Sequence, residues 1–87
     1  MAQVWLFATL RPVTDGKCPV EVPGQSVREL VDNLEQVYPG ARSALLWDDD
    51  LMPGLAVIVD GETSALGLLQ KLQGDSEVHF LPAIGGG

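Results

Sequence analysis

The sequence predicts an α+β fold, a roll in which a mixed sheet of four to five strands packs on one main helix. Two observations predict it: one long amphipathic helix is evident, and strand-like segments occur both before and after that helix. A helix with a single apolar face must bury that face, and the sheet is the only surface that can cover it. A chain of 87 residues is expected to form a single domain over 1–87.

The first part of the chain is predicted to form a β-hairpin. Residues 4–10 are rich in aliphatic and aromatic side chains, which favours a strand, and Arg11-Pro12 interrupts it. Asp15-Gly16 is a strong turn signal. Residues 18–22 are therefore predicted to be the second strand, paired with the first, with Pro19 at an edge or a bulge.

The main helix has the clearest signals in the sequence. Ser26 and Glu29 fit a capping box, with Ser26 as the N-cap. Pro39-Gly40 stops the helix, and residues 41–47 are predicted to form a short second helix. The apolar face of the main helix is predicted to consist of Val27, Leu30, Val31, Leu34, Val37 and Tyr38.

The second half is predicted to supply the remaining strands. After an acidic loop at 48–50, residues 55–59 form a continuous apolar run, which indicates a buried third strand. Residues 63–73 are ambiguous and fit a short strand followed by a helical turn. Residues 77–81 are predicted to be the last strand, which ends at Pro82.

Charge and composition disfavour several classes of partner. The net charge is −7, so neither nucleic acid nor an anionic membrane is an expected ligand. Cys18 is the only cysteine, the start lacks the features of a signal peptide, and no apolar run has the ~20 residues of a membrane span. A cytoplasmic location is expected. A single His and a single Cys give no metal site.

The first and last strands are expected to lie side by side, with alternate side chains on opposite faces of the sheet. One set is assigned to the core: Val4, Leu6, Ala8, Val78 and Phe80. The other set, Trp5, Phe7, His79 and Leu81, is then expected to form an exposed apolar and aromatic patch of the kind that often binds partners. Two alternatives stay open: loops or the tail cover this patch, or the two faces are reversed.

The tail Pro82-Ala83-Ile84-Gly85-Gly86-Gly87 begins with a conformationally restricted proline and ends with three residues that have no side chain. Pro82 fixes its own backbone, whereas three glycines take almost any path and can thread a channel that excludes side chains. Residues 83–87 are therefore predicted to form a flexible tail. The terminal carboxylate is an anion at neutral pH. The alternative is a terminal segment without chemical function.

This tail resembles the ending of the MoaD/ThiS family of sulfur carriers, which have the ubiquitin-like β-grasp fold. Weaker matches are Leu10-Arg11-Pro12, Tyr38-Pro39-Gly40, Val59-Asp60-Gly61 and Gly74-Asp75, so the resemblance spans the chain. Gly85 departs from it, because the family usually has Ala or Ser there. Gly86-Gly87 is then the diglycine, and Gly85 adds only flexibility.

The resemblance implies a carrier or co-substrate and not an enzyme. An E1-like adenylyltransferase and sulfurtransferase, using ATP and Mg²⁺, would adenylate the Gly87 carboxylate and convert it to a thiocarboxylate, with Gly86 as its thin neighbour. A sulfur-accepting enzyme would then consume the sulfur. The residues expected to bind these partners are Trp5, Phe7, His79, Leu81, Pro82, Ala83, Ile84 and Gly85.

The resemblance leaves the pathway open. The acceptor is either the large subunit of molybdopterin synthase, of which this chain would be the small subunit, or a cysteine synthase homologue. Two other functions remain: a ubiquitin-like modifier joined through Gly87 to lysines, and a β-grasp binding module without tail chemistry. No cofactor is expected to bind the chain itself.

Overall fold

The computed structural model describes residues 1–82, apart from the side chains of residues 8 and 9. Within this range lie two α-helices, α1 (Val27–Val37) and α2 (Ala41–Leu45), and 3₁₀ segments at Ala8–Thr14 and Gly67–Leu69. The same range contains the strands β1 (Ala2–Leu6), β2 (Val20–Val22), β3 (Leu46–Trp47), β4 (Asp50–Leu51), β5 (Leu55–Val59), β6 (Glu62–Thr63) and β7 (Glu77–Pro82).

The main sheet has five strands in the order β2-β1-β7-β5-β6. The central pair β1–β7 is parallel, and the pairs β1–β2, β5–β7 and β5–β6 are antiparallel. The first and last strands are therefore neighbours, as predicted. Because β7 is bonded on both sides, its direction and its end are fixed by the sheet.

Helix α1 begins where the capping signal places it. The hydroxyl of Ser26 accepts a hydrogen bond from the backbone N–H of Glu29 at 3.2 Å. The Glu29 carboxylate accepts from the N–H of Gln25 at 3.3 Å, one residue earlier than in a standard capping box. The cap therefore satisfies two backbone donors at the helix start.

The apolar face of α1 is confirmed except at its last turn. Val27, Leu30, Val31 and Leu34 are buried. Val37 was assigned to this face, but its side chain is 61% exposed because it stands at the edge of the apolar stripe in the last turn. Tyr38, the C-cap, is half-buried against the core.

The prediction that the first strand continues to residue 10 is wrong, because β1 ends at Leu6. The Phe7 N–H donates to the Phe80 carbonyl at 3.3 Å, but Pro82 has no N–H to donate to the Phe7 carbonyl. That carbonyl instead accepts from Leu10 N–H at 2.8 Å, which begins the 3₁₀ segment. The core assignment of Ala8 falls on a side chain outside the described residues.

Two further element boundaries in the structure differ from the predicted ones. The second strand begins at Val20 instead of residue 18. The predicted second helix ends at Leu45, and β3 and β4 then form a two-stranded hairpin. Its turn is the predicted acidic loop, in which Asp48 and Asp49 have φ values of 53° and 62°. Aspartate is among the few residues other than glycine that tolerate this left-handed region.

The core lies between α1 and the inner face of the sheet. Leu6, Val78 and Phe80 are at most 2% exposed, and Val57 and Val59 of β5 face the same side. Leu68 of the second 3₁₀ segment closes the core from the end near β4. Among the described residues, none of the helices has the length and apolar character needed to cross a membrane.

Candidate functional site: the outer face of the sheet and the end of β7

The outer face of the sheet has an aromatic row at its centre. The strand register aligns Trp5 of β1 with His79 of β7, and His79 with Ile58 of β5. The Trp5 and His79 rings are parallel within 3°, and their centroids are 4.7 Å apart. The stacked rings hold each other in place, so this part of the face is preorganised.

A second apolar row lies nearer the end of β7. Leu81 pairs with Ala56 of β5, and both are half-buried. Phe7, also half-buried, follows β1 directly and bonds to the backbone of β7. Pro82 is exposed and pairs with Leu55 at the start of β5. On the outer face the apolar surface thus extends to Leu81, whereas Pro82 and Leu55 alternate with it and share the side of Phe80 and Val57.

The opposite end of the same face is polar and acidic. Gln3 of β1 aligns with Glu21 of β2 on one side and with Glu77 of β7 on the other. Both glutamates are exposed. The outer face therefore changes from acidic, through aromatic, to aliphatic along the direction in which β7 runs toward the tail.

The sequence assigned the strand faces correctly. The inner set Val4, Leu6, Val78 and Phe80 is buried, and Trp5, His79 and Leu81 lie on the other face. The sequence predicts that these outer side chains are exposed, but they are only half-exposed, and the stacked Trp5 and His79 rings cover part of each other. Their role in binding a partner stays a prediction.

Ile58 lies in register with His79 and so extends the aromatic row, but the sequence did not identify it as a residue of the outer face. The continuous apolar run 55–59 indicated a strand buried on both faces, whereas Ala56 and Ile58 are only half-buried on the outer face. One signal could have identified Ile58. Alternate residues of a strand lie on opposite faces, so one set of residues in this run had to lie on the outer face predicted for the neighbouring strand.

The end of β7 is flanked by two loops. On one side, the Arg11 guanidinium Nε–H donates to the Leu6 carbonyl at 3.2 Å, where β1 ends. On the other side, Leu55 N–H donates to the Met52 carbonyl at 3.0 Å, just before β5. The sheet therefore fixes where the chain emerges after Pro82. The predicted tail residues Ala83, Ile84, Gly85, Gly86 and Gly87 lie outside the described residues.

Comparison with known proteins places this geometry in a family. The sequence profile of the ThiS family matches residues 4–87. A search among curated proteins gives no significant match. Solved structures do match, and the overlap extends over nearly the whole chain.

The chain is similar to CysO in the crystal structure of the BexX/CysO complex from Amycolatopsis orientalis. The TM-score is 0.89 at 28% identity, and 100% of each chain is covered. For CysO of Mycobacterium tuberculosis, described as an antigen, the TM-score is 0.87 at 25% identity, with 97% of this chain and 100% of that one covered. For the small archaeal modifier protein 1 from Haloferax volcanii the TM-score is 0.73 at 28% identity, with 99% and 98% covered.

The five-stranded mixed sheet with its single long helix is the β-grasp arrangement of these relatives. The sheet order, the parallel central pair and the family match agree with one another over residues 4–82. The chain therefore belongs to the ThiS family of ubiquitin-like sulfur carriers.

Proposed function

We propose that the chain carries sulfur as a thiocarboxylate at Gly87 and delivers it to a biosynthetic enzyme. The observation that carries this proposal is the path of the chain. Strand β7 is the central strand of the sheet and ends at Pro82, and only Ala83 and Ile84 separate Pro82 from the Gly85-Gly86-Gly87 sequence. When a partner binds the outer face, the tail therefore starts at a fixed position relative to that partner.

The first chemical step is activation of the carboxylate. A Gly87 oxygen attacks the α-phosphorus of ATP bound to an E1-like partner, pyrophosphate leaves, and a mixed anhydride with AMP forms. Mg²⁺ on that partner stabilises the charge of the phosphates. This chain contributes the nucleophilic carboxylate and a tail with no side chain at its last three positions.

The second step introduces sulfur. The terminal sulfur of a persulfide on the sulfurtransferase attacks the Gly87 carbonyl carbon, and AMP leaves. A thiol of that partner then attacks the resulting S–S bond, which leaves a disulfide on the partner and a thiocarboxylate on the carrier. The acceptor is a cysteine synthase homologue or the large subunit of molybdopterin synthase.

The outer face supplies the partner contacts in this proposal. Trp5, Phe7, His79 and Leu81 on this face would contact the partner, Pro82 would contact it at the end of the strand, and residues 83–85 would lead into its active site. Apolar patches of this kind commonly bind partners, and aromatic residues are enriched at the centres of interfaces. CysO from Amycolatopsis orientalis, to which this chain is similar, is solved in complex with BexX, which supports docking onto a protein partner.

Intact-mass spectrometry tests the proposal. The chain is incubated with the E1-like enzyme of the same cell, ATP, Mg²⁺ and a persulfide donor. We expect a mass gain equal to the exchange of one oxygen for one sulfur, and no gain when ATP or the donor is omitted. Failure to form either an adenylate or a thiocarboxylate with any E1-like enzyme of that cell would overturn the proposal.

A second candidate is a protein modifier. The similarity to a small archaeal modifier protein favours it, since the same adenylate can be attacked by a lysine amine in place of a persulfide. The product would be an isopeptide bond between Gly87 and a lysine. Peptide mass spectrometry that detects this branched linkage on other proteins would favour the modifier, and its absence beside thiocarboxylate formation would favour the carrier.

A further inference from the structure

A second apolar surface lies away from the outer face of the sheet. Of the five large hydrophobic side chains that are exposed among the described residues, three lie on adjacent segments: Trp47 at 63%, Leu66 at 58% and Leu69 at 73%. Trp47 belongs to the β3–β4 hairpin, Leu66 directly precedes the second 3₁₀ segment, and Leu69 is the last residue of that segment. We call Trp47, Asp50, Leu66 and Leu69 the hairpin patch.

The two leucines lie close together. Leu69 N–H donates to the Leu66 carbonyl at 3.0 Å, so these two exposed residues stand at the two ends of one tight turn, in which Gly67 has a φ of 56°. Leu68 points the other way and is buried in the core at 4% exposure. The segment therefore places one leucine inward and two outward. Packing of the core needs only the inward Leu68, so it does not explain why Leu66 and Leu69 are leucines.

Asp50 joins these leucines to the tryptophan. Trp47 and Asp50 are direct cross-strand partners, so their side chains are neighbours on one face of the hairpin. A Cβ built on Gly67 would lie 4.0 Å from the Asp50 carboxylate oxygen and 3.5 Å from Leu51 Cδ1. The Asp50 carboxylate thus stands between the indole on one side and the Leu66–Leu69 segment on the other.

The hairpin patch lies on the helix side of the molecule. Val27 N–H at the start of α1 donates to the Gln70 backbone carbonyl at 3.0 Å, and Leu72 N–H donates to the Gln25 backbone carbonyl at 3.0 Å. The segment that holds the leucines is therefore fixed beside the N-terminus of α1. Since α1 covers the inner face of the sheet, a partner on the hairpin patch leaves the outer face free.

We propose that the hairpin patch binds a protein segment that presents an arginine or lysine between apolar side chains. The Asp50 carboxylate would pair with the cation, the Trp47 ring would add a cation–π contact, and Leu66 and Leu69 would contact the flanking apolar groups. The net charge of −7 attracts such a segment at a distance. This partner differs from one that docks on the outer face, and both can bind at once.

Charge argues against a second copy of the chain as the occupant. In a two-fold symmetric contact the same patch faces itself, which would bring two Asp50 carboxylates together. Two chains that each carry a charge of −7 also repel each other. A basic, apolar segment on another protein meets neither obstacle.

The test is an NMR titration of the ¹⁵N-labelled chain with a synthetic peptide of alternating leucines and arginines. A peptide with glutamate in place of arginine serves as the control. We expect amide shifts at residues 47–51 and 66–69 with the basic peptide only, and none at Trp5 or His79. Equal binding of the acidic peptide, shifts confined to the outer face, or shifts that depend only on the concentration of the chain would each overturn the proposal.

Two variants sharpen the test. Asp50→Asn keeps an oxygen to accept the hydrogen bond from Leu51 N–H at 2.8 Å, and we expect affinity for the basic peptide to fall about fivefold. Leu69→Ala is expected to weaken binding by a similar factor. Val37→Ala, which truncates an exposed apolar residue at the other end of α1, is expected to change nothing. Equal affinity of all three variants and the unaltered chain contradicts the proposal.

Discussion

At the scale of single residues, tight packing before α1 constrains one glycine. A Cβ at Gly24 would lie 2.8 Å from Leu30 N and 2.9 Å from Leu30 Cα, both backbone atoms of the helix. Such a contact is closer than real Cβ atoms allow, and backbone cannot give way as a flexible side chain does. The chain that leads into α1 therefore passes against the helix at a distance that only glycine permits.

Gly24→Ala tests this contact. We expect the free energy of unfolding to fall by about 1–3 kcal/mol, the usual cost of overpacking, as measured by urea denaturation. Gly74→Ala is the matched control, because a Cβ there would meet nothing within 4 Å. Equal stability of the two variants would show that α1 shifts freely to accommodate the methyl group.

A second residue, Glu35, links the two helices. Its carboxylate accepts hydrogen bonds from the N–H groups of Gly40 at 3.1 Å and Arg42 at 2.9 Å. These backbone bonds, first from Arg42 and then from Gly40, hold the pKa of Glu35 below its ordinary value of 4.5. The carboxylate of α1 thus supplies the cap for the start of α2.

This lowered pKa predicts a pH dependence of stability. The stabilisation by Glu35 is complete above pH 4.5, its ordinary value, and is lost as the pH falls through the lower pKa of the folded state. We expect Glu35→Gln to be less stable than the unaltered chain at neutral pH, with the difference shrinking below pH 4.5. Thermal unfolding of both proteins across this range measures it, and a difference that grows toward acid pH contradicts the assignment.

At the scale of elements, the sequence predicts those features that depend on residues close to one another in the chain. The start of α1 follows from Ser26 and Glu29, and the strand faces follow from period two. The end of β1 was missed because it depends on Pro82, which lies far along the chain and cannot donate to Phe7. Val37 was misassigned for a similar reason, since helical spacing does not say where the sheet stops covering the helix.

The candidate site was predicted to a similar extent. Trp5, His79 and Leu81 were placed on one face by alternation alone. Ile58 was missed, because strand pairing decides that β5 lies beside β7 and a continuous apolar run hides its two faces. The hairpin patch could not be predicted, since Trp47 comes close to the Leu66–Leu69 segment only because β4, its partner strand in the hairpin, packs against that segment.

Leu81→Ala tests the outer face as a docking surface. Leu81 lies one residue before Pro82, where a bound partner would receive the tail. We expect the KM of the E1-like enzyme for the carrier to rise about fivefold, with kcat little changed, because truncation removes docking contacts and leaves the carboxylate intact. Val37→Ala is the control, on the helix side of the sheet. A fall in kcat with an unchanged KM would contradict this role.

At the scale of the whole molecule, the fold separates three functions. The core between α1 and the sheet provides stability, the outer face of the sheet is proposed to hold the enzyme, and the tail is proposed to carry the reacting group. Because β7 is bonded to both β1 and β5, a contact on the outer face and the start of the tail are rigidly connected. Changes in the tail are therefore expected to leave the fold intact.

Removal of Gly86 and Gly87 tests the central claim most directly. The full chain and the shortened chain are compared by intact mass after incubation with the E1-like enzyme, ATP and a persulfide donor, and by thermal unfolding. We predict that the full chain gains a thiocarboxylate, that the shortened chain gains none, and that both unfold at the same temperature. A shortened chain that still delivers sulfur to the acceptor enzyme would contradict the account.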